Sequence, residues 1–108
     1  MNDEIASSAF AALGHPNRIR VLRMLVRARP DGLTVTSLRE RLGVPATTFA
    51  HHLKALAEAK LVIQDKRGRE LYSTANYPLI RDLASFLMVE CCVDSACPPQ
   101  IMETEKNL

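Results

Sequence analysis

The chain has 108 residues, 47% hydrophobic and 24% charged, which leaves room for one globular domain of ordinary composition. No apolar run approaches the roughly 20 residues of a membrane helix. The acidic start MNDEIASSAF lacks the basic head of a secretion signal, so a cytoplasmic protein with no membrane partner is expected and a disulfide scaffold is not.

Only 5% of residues are aromatic and Trp is absent, so a domain this small is expected to draw part of its core from a second subunit. The net charge of +2 hides an uneven distribution. Between His15 and Tyr72 there are twelve Lys/Arg against five Asp/Glu, a net of +7, while the flanks carry a net of −5. A basic centre suits a surface that meets a polyanion. Charge alone does not decide between that and a merely solvated face.

In chain order, EIASSAFAAL at 4–13 sets Ile5, Ala9, Ala12 and Leu13 at helical spacing. Gly14 breaks this helix, and Pro16 suits the first turn of the next, where its missing N–H is no loss. From Pro16 to Arg29, Ile19, Leu22, Leu25 and Val26 mark an apolar face, and RPDG at 29–32 ends the run. TVTSLRERL at 34–42 predicts a third helix, capped by Thr34 or Thr36, with Leu38 and Leu42 inward and Gly43 closing it. PATTFAHHLKALAEA at 45–59 predicts a fourth, with Phe49, Leu53 and Leu56 buried. Helix, glycine-containing turn and helix make a helix-turn-helix.

The period changes over LVIQDKRGRELYSTA at 61–75, where β-prone Leu61–Ile63 and Leu71–Ser73 flank DKRGR. A hairpin with Gly68 at positive φ is expected there, and a hairpin after a helix-turn-helix is a wing. A last helix over about 77–92 carries Leu79, Ile80, Leu83, Phe86, Leu87 and Cys91 on its apolar side, until Pro98-Pro99 forbids continuation. The expected fold is therefore mainly α with a small β-hairpin, a winged helix-turn-helix. Residues 1–92 are expected to form the winged helix-turn-helix DNA-binding and dimerisation domain, and 93–108 a C-terminal inducer-binding loop and frayed tail.

A helix with a polar outer face followed by a basic hairpin fits DNA, because the major groove admits one helix whose exposed donors and acceptors reach base edges. Thr47, Thr48 and His51 are such groups, and Lys54 can reach a phosphate or a guanine. Lys66, Arg67 and Arg69 at the hairpin tip suit the flanking backbone or minor groove. The duller alternative is a solvated tip and solvent-facing histidines, with His52 packed. No Ser-His-Asp or paired-carboxylate arrangement is visible, so no enzyme is expected.

ALGHPNRIRVLRML at 12–25, TFAHHLKALAEAKLV at 48–62 and DKRGRELYS at 65–73 resemble, in that order and spacing, the ArsR-type winged-helix repressors. The resemblance covers roughly residues 5–92. It implies a homodimer joined through the first and last helices, bound to an inverted-repeat operator and released by an inducer. Two positions depart from the pattern. His15 stands where many relatives have an aspartate, which is expected to cost a helix cap, and Ala50 stands where a serine is usual.

All three cysteines fall in ECCVDSAC at 90–97, as Cys91, Cys92 and Cys97. Three thiolates are a natural shell for trivalent arsenic, whose lone pair fills the fourth direction. Zinc usually takes four ligands, and no fourth lies nearby. The resemblance narrows the choice: LRERL in the third helix has no thiol, and residues 77–92 hold Asp82 but no histidine, so the family's third-helix arsenite site and last-helix zinc site are absent. Some relatives place an arsenite site of paired cysteines plus one at this helix end. Arsenite as inducer is therefore expected, with antimonite or a soft divalent ion (cadmium, lead) beside it. Thiol redox or persulfide sensing stays open, as does a core role for Cys91. Neighbouring helical residues point about 100° apart, so Cys91 and Cys92 are expected to need a loosened helix end to share an ion.

Overall fold

The computed structural model describes residues 1–95. Five helices and three short strands follow one another as α1 (Asp3–Ala12), α2 (Pro16–Arg27), β1 (Leu33–Thr34), α3 (Val35–Leu42), α4 (Ala46–Glu58), β2 (Val62–Arg67), β3 (Glu70–Ala75) and α5 (Tyr77–Met88). Helix starts follow local chemistry. Asn2 caps α1 by accepting the Ile5 N–H at 2.8 Å, with Asp3 and Glu4 complementing the positive end. Thr34 caps α3 by accepting from the Ser37 N–H at 3.1 Å. His15 caps α2, its Nδ1 accepting the Asn17 N–H at 3.0 Å. The expected loss of a cap at His15 therefore does not occur, because the unprotonated imidazole nitrogen accepts a hydrogen bond as a carboxylate oxygen would.

The core sits among α2, α3, α4 and the sheet, with Val21, Leu25, Leu38, Leu56 and Leu61 fully buried. The inward faces of α1 and α2 are rotated from the expected ones. In α1 the buried residues are Ala6, Ala9 and Ala12, and Ile5 is exposed. Helix α2 buries Val21, Leu22 and Leu25 and leaves Ile19 and Val26 exposed. Its inward stripe begins at half-buried Arg18, which an inventory of apolar residues could not have chosen. Only Leu83 of α5 is buried, while Leu87, Met88, Val89 and Val93 stand out to solvent.

The expected hairpin is the larger part of a three-stranded antiparallel sheet of order β1-β3-β2. Strands β2 and β3 pair from Val62↔Ala75 to Arg67↔Glu70, with Gly68 at φ 63 in the connecting turn. The unexpected third strand pairs Leu33 with Ser73 and Thr34 with Tyr72. Its approach depends on Gly32 at φ +80, where a Cβ would overlap the Ser73 carbonyl oxygen and lie 2.5 Å from Thr74 Cγ2. Just upstream, the Arg29 guanidinium lies 4.1 Å from the centre of the Tyr77 ring and fastens this loop to the start of α5.

Between α4 and β2 the chain turns at Lys60, a non-glycine residue at φ 67. There the Leu61 N–H reaches back to the Leu56 carbonyl at 3.1 Å and Asn76 Nδ2 donates to the Lys60 carbonyl at 2.7 Å. A left-handed L-residue is strained by about 1–2 kcal/mol, and glycine trades that strain for backbone entropy. Lys60→Gly should therefore raise stability by about 0.5–1 kcal/mol, read as a higher urea midpoint with an unchanged slope.

Candidate functional site

Helices α3 and α4 are joined by a turn that Gly43 enters in the left-handed conformation, φ 73, its N–H donating to the Arg39 carbonyl at 3.0 Å. Pro45 then precedes α4, and no side chain caps the first N–H groups of that helix. They are open to a phosphate oxygen, which a helix N-terminus attracts. Phe49, His52, Leu53 and Leu56 turn inward. Thr47, Thr48, His51 and Lys54 are all exposed on the outer face. Lys54 approaches Glu58 at 3.8 Å, but both side chains are largely in water and the pair holds Lys54 only weakly. Ala50 does not share that face alone: with Val35, Arg39, Phe49, Leu53 and Leu71 it lines a groove of about 520 Å³ between α3, α4 and the wing.

At the wing, Lys66 and Arg69 are exposed beside the Gly68 turn. Arg67 is engaged within the chain. Its Nε donates to Asp65 Oδ2 at 3.0 Å, its Nη1 donates to the Asp31 carbonyl at 3.1 Å, and its guanidinium lies 4.4 Å from the Tyr72 ring centre. Arg67 therefore ties the hairpin to the loop after α2, a role that its place in a basic tip does not reveal. Lys66→Ala and Arg69→Ala should each weaken DNA binding about equally for all sequences and lower the slope of log affinity against log salt by about 1. Fluorescence anisotropy over a salt series measures this.

Behind the outer face His52 packs with His15, and exposed His51 stands at the edge of the pair. His52 is 5% exposed. Its Nδ1 accepts from Arg18 Nε at 3.0 Å, and the His15 ring packs on it with centroids 4.4 Å apart at 47°. The His51 ring centre is 6.3 Å away. Burial lowers the His52 pKa from its ordinary value, and His15, Arg18 and His51 lower it further by charge repulsion. His52 is packed, as one reading of the sequence expects. Arg18 and His15 are the parts that reading misses. The available signal was a charged residue on the inward stripe of α2, which calls for a partner.

Helix α5 ends at Met88, four residues short of the expected end, and Cys91 and Cys92 lie in turns beyond it. The Cys91 N–H donates to the Met88 carbonyl at 2.8 Å, and Cys92 adopts φ 64. Cysteine is a weak helix former, and the left-handed residue turns the chain as a terminal glycine would. As a result Cys91 Sγ and Cys92 Sγ are 3.4 Å apart, so no helical geometry separates them. Cys97 lies outside the described residues, as does most of the expected tail at 93–108. Among the described residues no group of three His, Cys, Asp or Glu side chains could hold a metal ion, and no helix is long and apolar enough to cross a membrane.

Residues 13–65 match the family model described as a helix-turn-helix domain. An ArsR-like transcriptional regulator from Rhodococcus sp. RHA1 is 34% identical, with a TM-score of 0.69 over 78% of this chain and 76% of that one. The transcriptional repressor SdpR of Bacillus subtilis is 21% identical over 76% of this chain and 88% of its own length. A homodimeric winged helix-turn-helix DNA-binding domain from Mycobacterium bovis shares the fold at 22% identity and a TM-score of 0.64, over 82% of this chain and 86% of that one. With its helix-turn-helix, its wing and these relatives, the chain belongs to the ArsR-like family of DNA-binding transcriptional regulators and is no enzyme.

Proposed function

We propose that the chain is an arsenite-responsive repressor, active as a homodimer on operator DNA and released when Cys91, Cys92 and Cys97 bind trivalent arsenic or antimony. The observation that carries this reading is the 3.4 Å approach of the Cys91 and Cys92 sulfurs just beyond the last helix. Three thiols can replace the three hydroxyls of arsenous acid, each exchange releasing one water. A soft three-coordinate centre prefers such sulfur donors. The exposed apolar side chains Ile5 and Phe10 on α1 and Leu87, Met88 and Val89 at the end of α5 support a second subunit packed there. The thiols would then sit at the seam, and drawing them onto one ion would alter the angle between subunits. The two α4 helices, one helical turn of DNA apart, would leave register.

Coupling of this kind is typically about 5–150-fold in affinity. In a gel-shift titration under reductant, Cys91→Ser, Cys92→Ser and Cys97→Ser should each hold the operator at arsenite concentrations that release the unaltered protein. Release from all three variants would remove arsenite from the reading and leave the DNA-binding half intact. The same approach of the two sulfurs also suits a second reading, a thiol redox or persulfide switch. Release by a persulfide donor, with arsenite inert on the reduced protein, would decide for it.

A further inference from the structure

The histidine cluster lies where the start of α2 meets the back of α4, and the DNA reading does not use it. We infer that His52 and Arg18 are positioning residues for the recognition helix, and that acid, by protonating His52, frees α4 from the start of α2 and weakens operator binding. The inference rests on α4 being the DNA-reading helix.

The hydrogen bonding sets the chemistry. Arg18 always donates, so the Nδ1 it reaches at 3.0 Å carries no proton, and neutral His52 keeps its proton on Nε2. Protonation must occur at Nδ1. The new N–H then faces the Arg18 N–H, so an acceptor becomes a second donor and the bond between α2 and α4 is lost. The charged groups acting on His52 are His15 and Arg18 from the start of α2 and His51 from its own helix. Arg18 is a permanent cation. Among the described residues none of the groups acting on it is a carboxylate. At 5% exposure, water does little to shield the new charge. His15, packed against His52, spends its Nδ1 as an acceptor on the Asn17 N–H and so offers His52 no acceptor there.

The sign follows from linkage. A histidine whose folded pKa is lowered favours the fold fully above its unfolded value, about 6.5. That contribution fades as pH falls from there through the lowered folded value. Acid makes a protein surface more positive and strengthens its non-specific hold on phosphate. A basic surface alone would therefore bind DNA more tightly at low pH, whereas the buried cluster requires specific binding to weaken.

The test uses the full chain and a duplex that it selects from a random pool at pH 7.5. Anisotropy titrations at pH 7.5 and 5.5, at constant ionic strength, should show affinity for this duplex falling severalfold, with about tenfold as the ceiling for a single proton whose pKa lies below 6.5. Affinity for an unrelated duplex should hold or rise, and circular dichroism should stay helical. In His52→Asn, an amide oxygen can replace Nδ1 as an acceptor that does not titrate, and the fall should shrink below about twofold. Should that variant not fold, the ¹³C resonances of the wild-type imidazoles serve instead, and the loss of affinity should share its midpoint with His52 and not with His51. Affinity equal or greater at pH 5.5, an equal fall in a folded His52→Asn, or loss of helix at pH 5.5 would overturn the inference alone. No selected binding at pH 7.5 would overturn the DNA reading and this inference with it.

Discussion

Gly32→Ala should destabilise the protein by about 3 kcal/mol, combining the strain of a left-handed L-residue with overpacking. At φ +80 the added methyl would meet the Ser73 carbonyl oxygen and Thr74 Cγ2, both on the central strand β3. Backbone cannot give way as a flexible side chain can, so β1 must separate from β3 or the loop must distort. Urea unfolding followed by circular dichroism gives the number. Gly43 and Gly68 are also left-handed, but a Cβ at either meets nothing within 4 Å, so their Ala variants should lose only about 0.5–1 kcal/mol, the left-handed strain less the backbone entropy that glycine costs. A loss at Gly32 no greater than at Gly68 would show that β1 does not hold against β3.

Phe49→Ala should cost about 3 kcal/mol, the lower end of the range for deleting a buried ring. Phe49 is 2% exposed and anchors α4 directly behind Thr48. It also borders the groove beside the wing, so the vacated space joins open volume that water can enter. Thr48→Ala on the outer face supplies the contrast. Its stability should stay within about 0.5 kcal/mol, while specific DNA affinity falls by about 1–3 kcal/mol if Thr48 reads a base. The two variants separate the residue that holds the helix from one that uses it. Thermal melts and anisotropy on the same samples measure both.

Much of the fold was legible because its signals are local. Pro16 at a helix start, the Gly43 turn and the Phe49, Leu53 and Leu56 stripe each act within a few residues. β1 was not legible, since two residues carry no alternation and the strand depends on a glycine pressed against β3. The outer face of α4 could be read as the polar complement of its buried stripe. The Arg18–His52 bond spans 34 positions: the charge on the inward stripe of α2 asks for a partner, but no period in either helix says which residue it is. Nor did the basic tip show that Arg67 is bound to Asp65 and to the Asp31 carbonyl. The end of α5 was misplaced because nothing but weak propensity marks it, whereas its consequence, two sulfurs in contact, is large.

The four residues from Arg29 to Gly32 bear on three parts of the molecule at once. Arg29 rests on Tyr77, the Asp31 carbonyl receives Arg67, and Gly32 abuts Ser73. The start of the final helix is thereby joined to the middle and the tip of the hairpin across the outside of the domain, by a route that does not pass through the interior.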